Sequence, residues 1–81
     1  MFEVKRVGDY DNKIIDDLGV MNESDFFKFA KKYIGNDTSQ WGVIFKSEKE
    51  LLDDIEYIKT TGDEYWFEMK DTNLIINYIE K

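Results

Sequence analysis

The tightest restriction on this chain is a helix start, Ser47-Glu48-Lys49-Glu50, set directly ahead of an apolar run. A Ser with a Glu three residues later satisfies free backbone donors reciprocally, through the hydroxyl in one direction and the carboxylate in the other. Leu51, Leu52, Ile55 and Ile58 then recur at helical spacing and Thr60-Thr61-Gly62 closes the run. A helix from Ser47 that buries those four residues is predicted. Such a helix draws its stability from packing its apolar stripe, so the rest of the chain must supply a covering surface.

Two further segments offer that surface. Asn22 or Ser24 caps a helix running to Ile34, with Phe26, Phe27, Phe29, Ala30, Tyr33 and Ile34 on a wide apolar arc and Lys28, Lys31 and Lys32 opposite. Tyr65, Phe67 and Met69 alternate with Trp66, Glu68 and Lys70, and after Asp71-Thr72-Asn73 the β-branched and aromatic run Leu74 to Ile79 predicts a C-terminal hairpin. Phe2 and Val4 alternate with polar neighbours as an edge strand ending at Gly8-Asp9. Ile14, Ile15 and Leu18 are spaced as a short helical turn over Asp11 to Leu18, capped by Gly19. Trp41-Gly42-Val43-Ile44-Phe45, apolar on both faces, is expected to be a central strand. The order implies a single α+β domain over residues 1–81, with two main helices packed on a three- to four-stranded, mostly antiparallel sheet.

At 81 residues one core is feasible, with a folded surface of roughly 5,000 Å². Six Phe, five Tyr and two Trp make 16% of the chain aromatic, so either the core is rich in rings or some of them serve an interface. The absence of Cys excludes disulfides and thiolate metal sites and favours a reducing, cytoplasmic setting. No apolar run approaches the length of a signal peptide core or a membrane span. The lack of His, Cys and Pro beside abundant Asn, Ile and Lys suits a low-GC bacterium or its phages.

Missing residue types also restrict chemistry. Without His or Cys, a catalytic triad has neither its base nor a thiol nucleophile, and Ser24, Ser39 and Ser47 lie where hydroxyls serve backbone donors. The glycines are isolated, so no phosphate-cradling loop occurs. Asp9-Tyr10-Asp11-Asn12 opens like a calcium loop, but Lys13 and Ile14 occupy positions that need a ligand and a Gly. A turn is the simpler reading there and at Asp71-Thr72-Asn73. No enzyme activity, cofactor or metal is expected. A net charge of −7 disfavours direct binding to nucleic acid or anionic membranes and favours a basic protein partner.

That charge concentrates on the second helix, at Glu48, Glu50, Asp53, Asp54 and Glu56, with Lys49 and Lys59 in partial compensation. Glu50 and Asp54 are like charges one turn apart, which weakens a helix slightly. Tyr57 projects about 150° from the centre of the apolar stripe, among Glu50, Asp53 and Asp54, as an anchor for an Arg-rich partner. Trp66 shares its strand face with Glu68 and Lys70 and joins the candidate partner-binding set, although burial is the simpler expectation for both Trp41 and Trp66. Duplex DNA would carry about eight charges over the roughly 13 Å of this acidic stretch, so any mimicry covers a few phosphates only.

The resulting expectation is a non-enzymatic, acidic protein-binding module that inhibits or regulates a basic, nucleic-acid-handling protein. Phage anti-defence proteins, including anti-CRISPR proteins, share this size and charge but no motif. An antitoxin or immunity protein is one alternative. Another is a structural subunit or homodimer built through Trp66, Tyr78 and the hairpin.

Overall fold

The computed structural model describes residues 1–8, 10–11, 13–62 and 64–79. The chain runs β1 (Phe2–Gly8), β2 (Ile14–Met21), α1 (Glu23–Lys31), β3 (Asp37–Ser39), β4 (Gly42–Val43), α2 (Glu48–Thr61), β5 (Tyr65–Glu68) and β6 (Thr72–Tyr78). Four strands form an antiparallel sheet in the order β2-β1-β6-β5, while β3 and β4 pair separately. The α+β class and the C-terminal hairpin therefore match the sequence pattern.

Both helices cover one face of the sheet. Phe26 and Ala30 of α1, with Leu51, Ile55 and Ile58 of α2, join Phe2, Val4, Phe67, Leu74 and Ile76 in one buried cluster. Phe2 stacks on Phe26 at 4.6 Å between ring centroids and meets the edge of Tyr78 at 5.1 Å. Glu23 reaches Lys59 at 2.8 Å and Lys31 reaches Glu48 at 3.8 Å, so the start of each helix lies beside the end of the other. The total accessible surface is 5193 Å², close to the expected value for this length.

Several local expectations are corrected. β1 is not an edge strand: it pairs with β2 on one side and β6 on the other, which explains why Phe2, Val4 and Val7 are all buried. Residues 14–18 belong to a strand rather than a helical turn. β2 follows β1 with two irregularities, at Leu18 and Ile15, and Gly19 adopts φ 81° beside the first. The glycine thus serves a β-bulge, with its N–H donating to Asp17 Oδ1 at 3.0 Å, instead of a helix end.

Trp41 to Phe45 is not a central strand. Gln40 and Trp41 form the tip between β3 and β4, and Gly42, at φ 101°, turns the chain out of an extended path. Phe45 is the one residue of this segment that is fully buried, meeting Phe67 edge-on at 5.3 Å, while Ile44 packs against the core from a half-buried position. The first long helix, capped by the Asn22 side chain, stops at Lys31, three residues short of Ile34. Leu52, expected to be buried, is 51% exposed beside Phe27 in a groove between the helices.

Candidate functional site

Local sequence places the acidic face of α2. Ser47 caps the helix and accepts from the Glu50 N–H at 3.4 Å, while the Glu50 carboxylate accepts from the Lys46 N–H, one residue before the cap. Gly62, at φ 68°, ends the helix with its N–H donating to the Ile58 carbonyl. The core holds Leu51, Ile55 and Ile58, so the other side must face outward.

On that side the acidic residues are not equivalent. Asp53 pairs with Lys49 at 3.2 Å, Glu48 with Lys31 at 3.8 Å, and Glu56 approaches Lys59 at 4.0 Å. Glu50 and Asp54 have no cationic side chain within ion-pair distance among the described residues. Partial burial, then the charges of Glu50 and Asp53, hold the Asp54 carboxyl above its ordinary value. Glu50, Asp53, Asp54 and Tyr57 occupy the i, i+3, i+4, i+7 pattern of a single helical stripe.

Tyr57 is 55% exposed, and its ring meets the edge of Tyr65 at 5.8 Å. Burial pushes the Tyr65 phenol upward, reinforced by the charge of Asp54. Tyr65 in turn contacts Phe67 in the core, so the exposed Tyr57 ring rests on a fixed aromatic support. A partly ordered ring loses less freedom on binding than a free one.

Trp66 is separated from this stripe. Tyr65 and Phe67 point towards the helices, so the intervening Trp66 lies on the opposite sheet face. Its indole N–H donates to Glu64 at 2.6 Å. Trp41, expected in the core, is 81% exposed, and its N–H donates to Glu68 at 2.6 Å. Glu68 shares a strand face with Trp66, so two indoles with glutamate partners mark that side. Tyr78 instead lies beside Phe2 on the helix-covered face, so Trp66 and Tyr78 do not form one interface.

Among the described residues no group of three or more acidic, His or Cys side chains is placed to hold a metal ion. The Asp9–Asn12 segment falls partly outside them, at Asp9 and Asn12. No described helix is long and apolar enough to cross a membrane. Comparison with protein-family models, curated proteins and solved structures found no match to this chain.

Sequence reasoning missed a second location, a cleft of about 430 Å³ lined by Arg6, Tyr33, Asp37, Thr38 and the turn from Met69 to Thr72. Those residues come from four separate stretches and have no common local pattern. The one available signal was that Arg6 is the sole arginine in the chain.

Proposed function

We propose that the protein is a non-enzymatic, cytoplasmic binding module whose α2 face docks a basic protein that handles nucleic acid, inhibiting or regulating it. The observation that carries this reading is the stripe of Glu50, Asp53, Asp54 and Tyr57, in which two carboxylates lack a cation and one is partly desolvated. A partner's Arg or Lys placed there relieves repulsion that the isolated fold tolerates, while Tyr57 supplies a ring face for a guanidinium. Glu48 and Glu56, already paired within the chain, belong to the rim and steer association more than they hold it. Trp66 lies outside this contact and would require a partner that wraps onto the other sheet face.

The test is affinity capture from a nuclease-treated lysate of a low-GC bacterium. Retention of a basic nucleic-acid-handling protein at low salt, with release at high salt, is expected. Retention that is indifferent to salt, or of acidic proteins only, contradicts the electrostatic reading. A phage inhibitor and an antitoxin or immunity protein would use the same surface, and the captured partner distinguishes them.

A homo-oligomer is the second reading, favoured by β2. This terminal strand leaves Ile14 57% and Ile15 55% exposed, together with Leu18 and Val20. Exposed aliphatics on an open strand edge favour strand addition by a second copy. Light scattering over a dilution series should then show a dimer that Val20→Lys dissociates; a monomer at every concentration removes this reading.

A further inference from the structure

The sheet has a second face that neither helix covers. Alternation about the buried Phe67 turns Trp66 and Glu68 onto it, and Ile75 of β6 stands beside Trp66 in register. Glu64, one residue before β5, reaches the same side, where its carboxylate accepts from the Trp66 indole at 2.6 Å. Glu68 accepts from the Trp41 indole, also at 2.6 Å. A row therefore runs Glu64, Trp66, Glu68, Trp41, carboxylate and indole in turn, with about 7 Å between alternate residues along the strand. It contains both tryptophans of the chain.

Two features set this row apart from an ordinary wet surface. Trp41 is 81% exposed and Trp66 39%, although burying such large rings would have stabilised the core. The rings are nevertheless held in place. Beyond the two indole bonds, the Trp41 backbone N–H donates to Ser39 Oγ at 3.2 Å and the Ser39 hydroxyl donates to the Glu68 carbonyl, which ties the β3–β4 tip to β5. Exposed rings ordered in advance lose little freedom when a ligand covers them. The second feature is charge. No described cation lies within ion-pair distance of Glu64 or Glu68, and Lys5, on the same face beyond Ile75, pairs with Glu3 at 3.8 Å.

We infer that this row is a docking surface for an arginine-bearing segment of a basic protein, with guanidinium groups stacked on Trp41 and Trp66 and donating to Glu64 and Glu68. Indole attracts a cation more strongly than the other aromatic side chains, and a planar guanidinium can stack on it while turning its N–H edge to a carboxylate. The indoles occupy Oε1 of Glu64 and Oε2 of Glu68, so the second oxygen of each carboxylate can accept from the ligand. Half-buried Ile75 offers an apolar bed for the arginine stem. A neutral sugar would use the rings but leave both carboxylates without a cation, and phosphates are repelled by them. α2 lies across the sheet, so binding here does not depend on the acidic stripe of that helix.

Because both tryptophans belong to the row, intrinsic tryptophan fluorescence of the whole protein reads this surface directly. Heptaarginine is titrated at physiological salt, beside heptalysine and the neutral sugar maltohexaose. A saturable change with heptaarginine is expected, at least about threefold tighter than with heptalysine, and no change with the sugar. Trp41→Ala and Glu68→Gln should each weaken binding about threefold or more. Glu68→Gln keeps an acceptor for the Trp41 indole and Trp41→Ala removes a mostly exposed ring, so both should melt close to the parent protein. Glu50→Gln/Asp53→Asn/Asp54→Asn, which neutralises the α2 stripe, should titrate within about twofold of the parent. No response to heptaarginine, or an equal response to heptalysine or the sugar, overturns the assignment. So does a Trp41→Ala or Glu68→Gln protein that binds like the parent, or loss of the response in the α2 variant. A fluorescence change on diluting the protein alone would place a second copy on this face and overturn it as well.

Discussion

α2 and β2 begin from similar-looking sequence and end as different structures. Each has aliphatic residues at helical spacing, an adjacent pair of aspartates and a closing glycine: Leu51 to Gly62 with Asp53-Asp54, and Ile14 to Gly19 with Asp16-Asp17. In α2 the capping serine and more than three turns of apolar spacing make the helix locally self-consistent. The β2 segment is too short to offset the cost of helix nucleation, and β1 offers it a full antiparallel partner. Both glycines take positive φ, 68° at Gly62 and 81° at Gly19, so a left-handed glycine marks a backbone irregularity without saying whether it ends a helix or sits at a bulge inside a strand.

The largest expected contrast is in burial. Ile58→Ala should cost about 2–5 kcal/mol, because the side chain is buried in the core. Ile15→Ala should cost about 0.5 kcal/mol or less, because that side chain is largely exposed on β2. Chemical denaturation of both variants checks the pair, and equal losses would mean that β2 packs against something in solution.

Burial also explains what was legible in the sequence. The caps at Asn22 and Ser47, the burial of Leu51, Ile55 and Ile58 on α2 and the alternation of β5 are local properties, and each appears in the fold as its residues imply, whereas Leu52 at the margin of the same stripe stays exposed. The central place of β1 depends on which strands choose it, so two residues of clear alternation could not reveal it. Trp41 and Gly42 were misleading because an apolar run resembles a strand until a positive φ interrupts it. The acidic stripe could be read because helix geometry alone aligns Glu50, Asp53, Asp54 and Tyr57. The Arg6 cleft could not, since long-range pairing assembles Arg6, Thr38 and Lys70.

The two glycines provide a closer comparison. A Cβ at Gly19 or Gly62 would meet no atom within 4 Å, so an alanine there suffers only from backbone conformation. Gly19→Ala and Gly62→Ala should each cost about 1–2 kcal/mol despite serving a bulge and a helix end. Thermal melting of both decides the matter, and a neutral Gly19→Ala would show that the bulge rearranges. Ser47→Ala should cost about 1 kcal/mol, through loss of the cap that β2 never had.

The smallest effect is a gain. Asp54→Asn removes the repulsion with Glu50 and should stabilise the fold by about 0.2–0.5 kcal/mol at neutral pH. Because the folded Asp54 carboxyl titrates above its unfolded value, the folded state holds more protons between those two pKa values. Stability contributed by this group therefore falls as pH rises through that window, and the fall should be absent from Asp54→Asn. Denaturation midpoints measured across mildly acidic pH test the sign.

The most direct test of the proposed function sets the two acidic segments against each other in one binding measurement. Once a basic partner is captured, its affinity is compared for the parent protein, for Glu50→Lys/Asp53→Lys/Asp54→Lys, and for Asp16→Lys/Asp17→Lys, each verified as folded by circular dichroism. Loss of binding on reversal of α2, with binding retained on reversal of β2, is the predicted result. A folded α2-reversed protein that binds at full affinity would contradict the proposal that this helix is the docking surface.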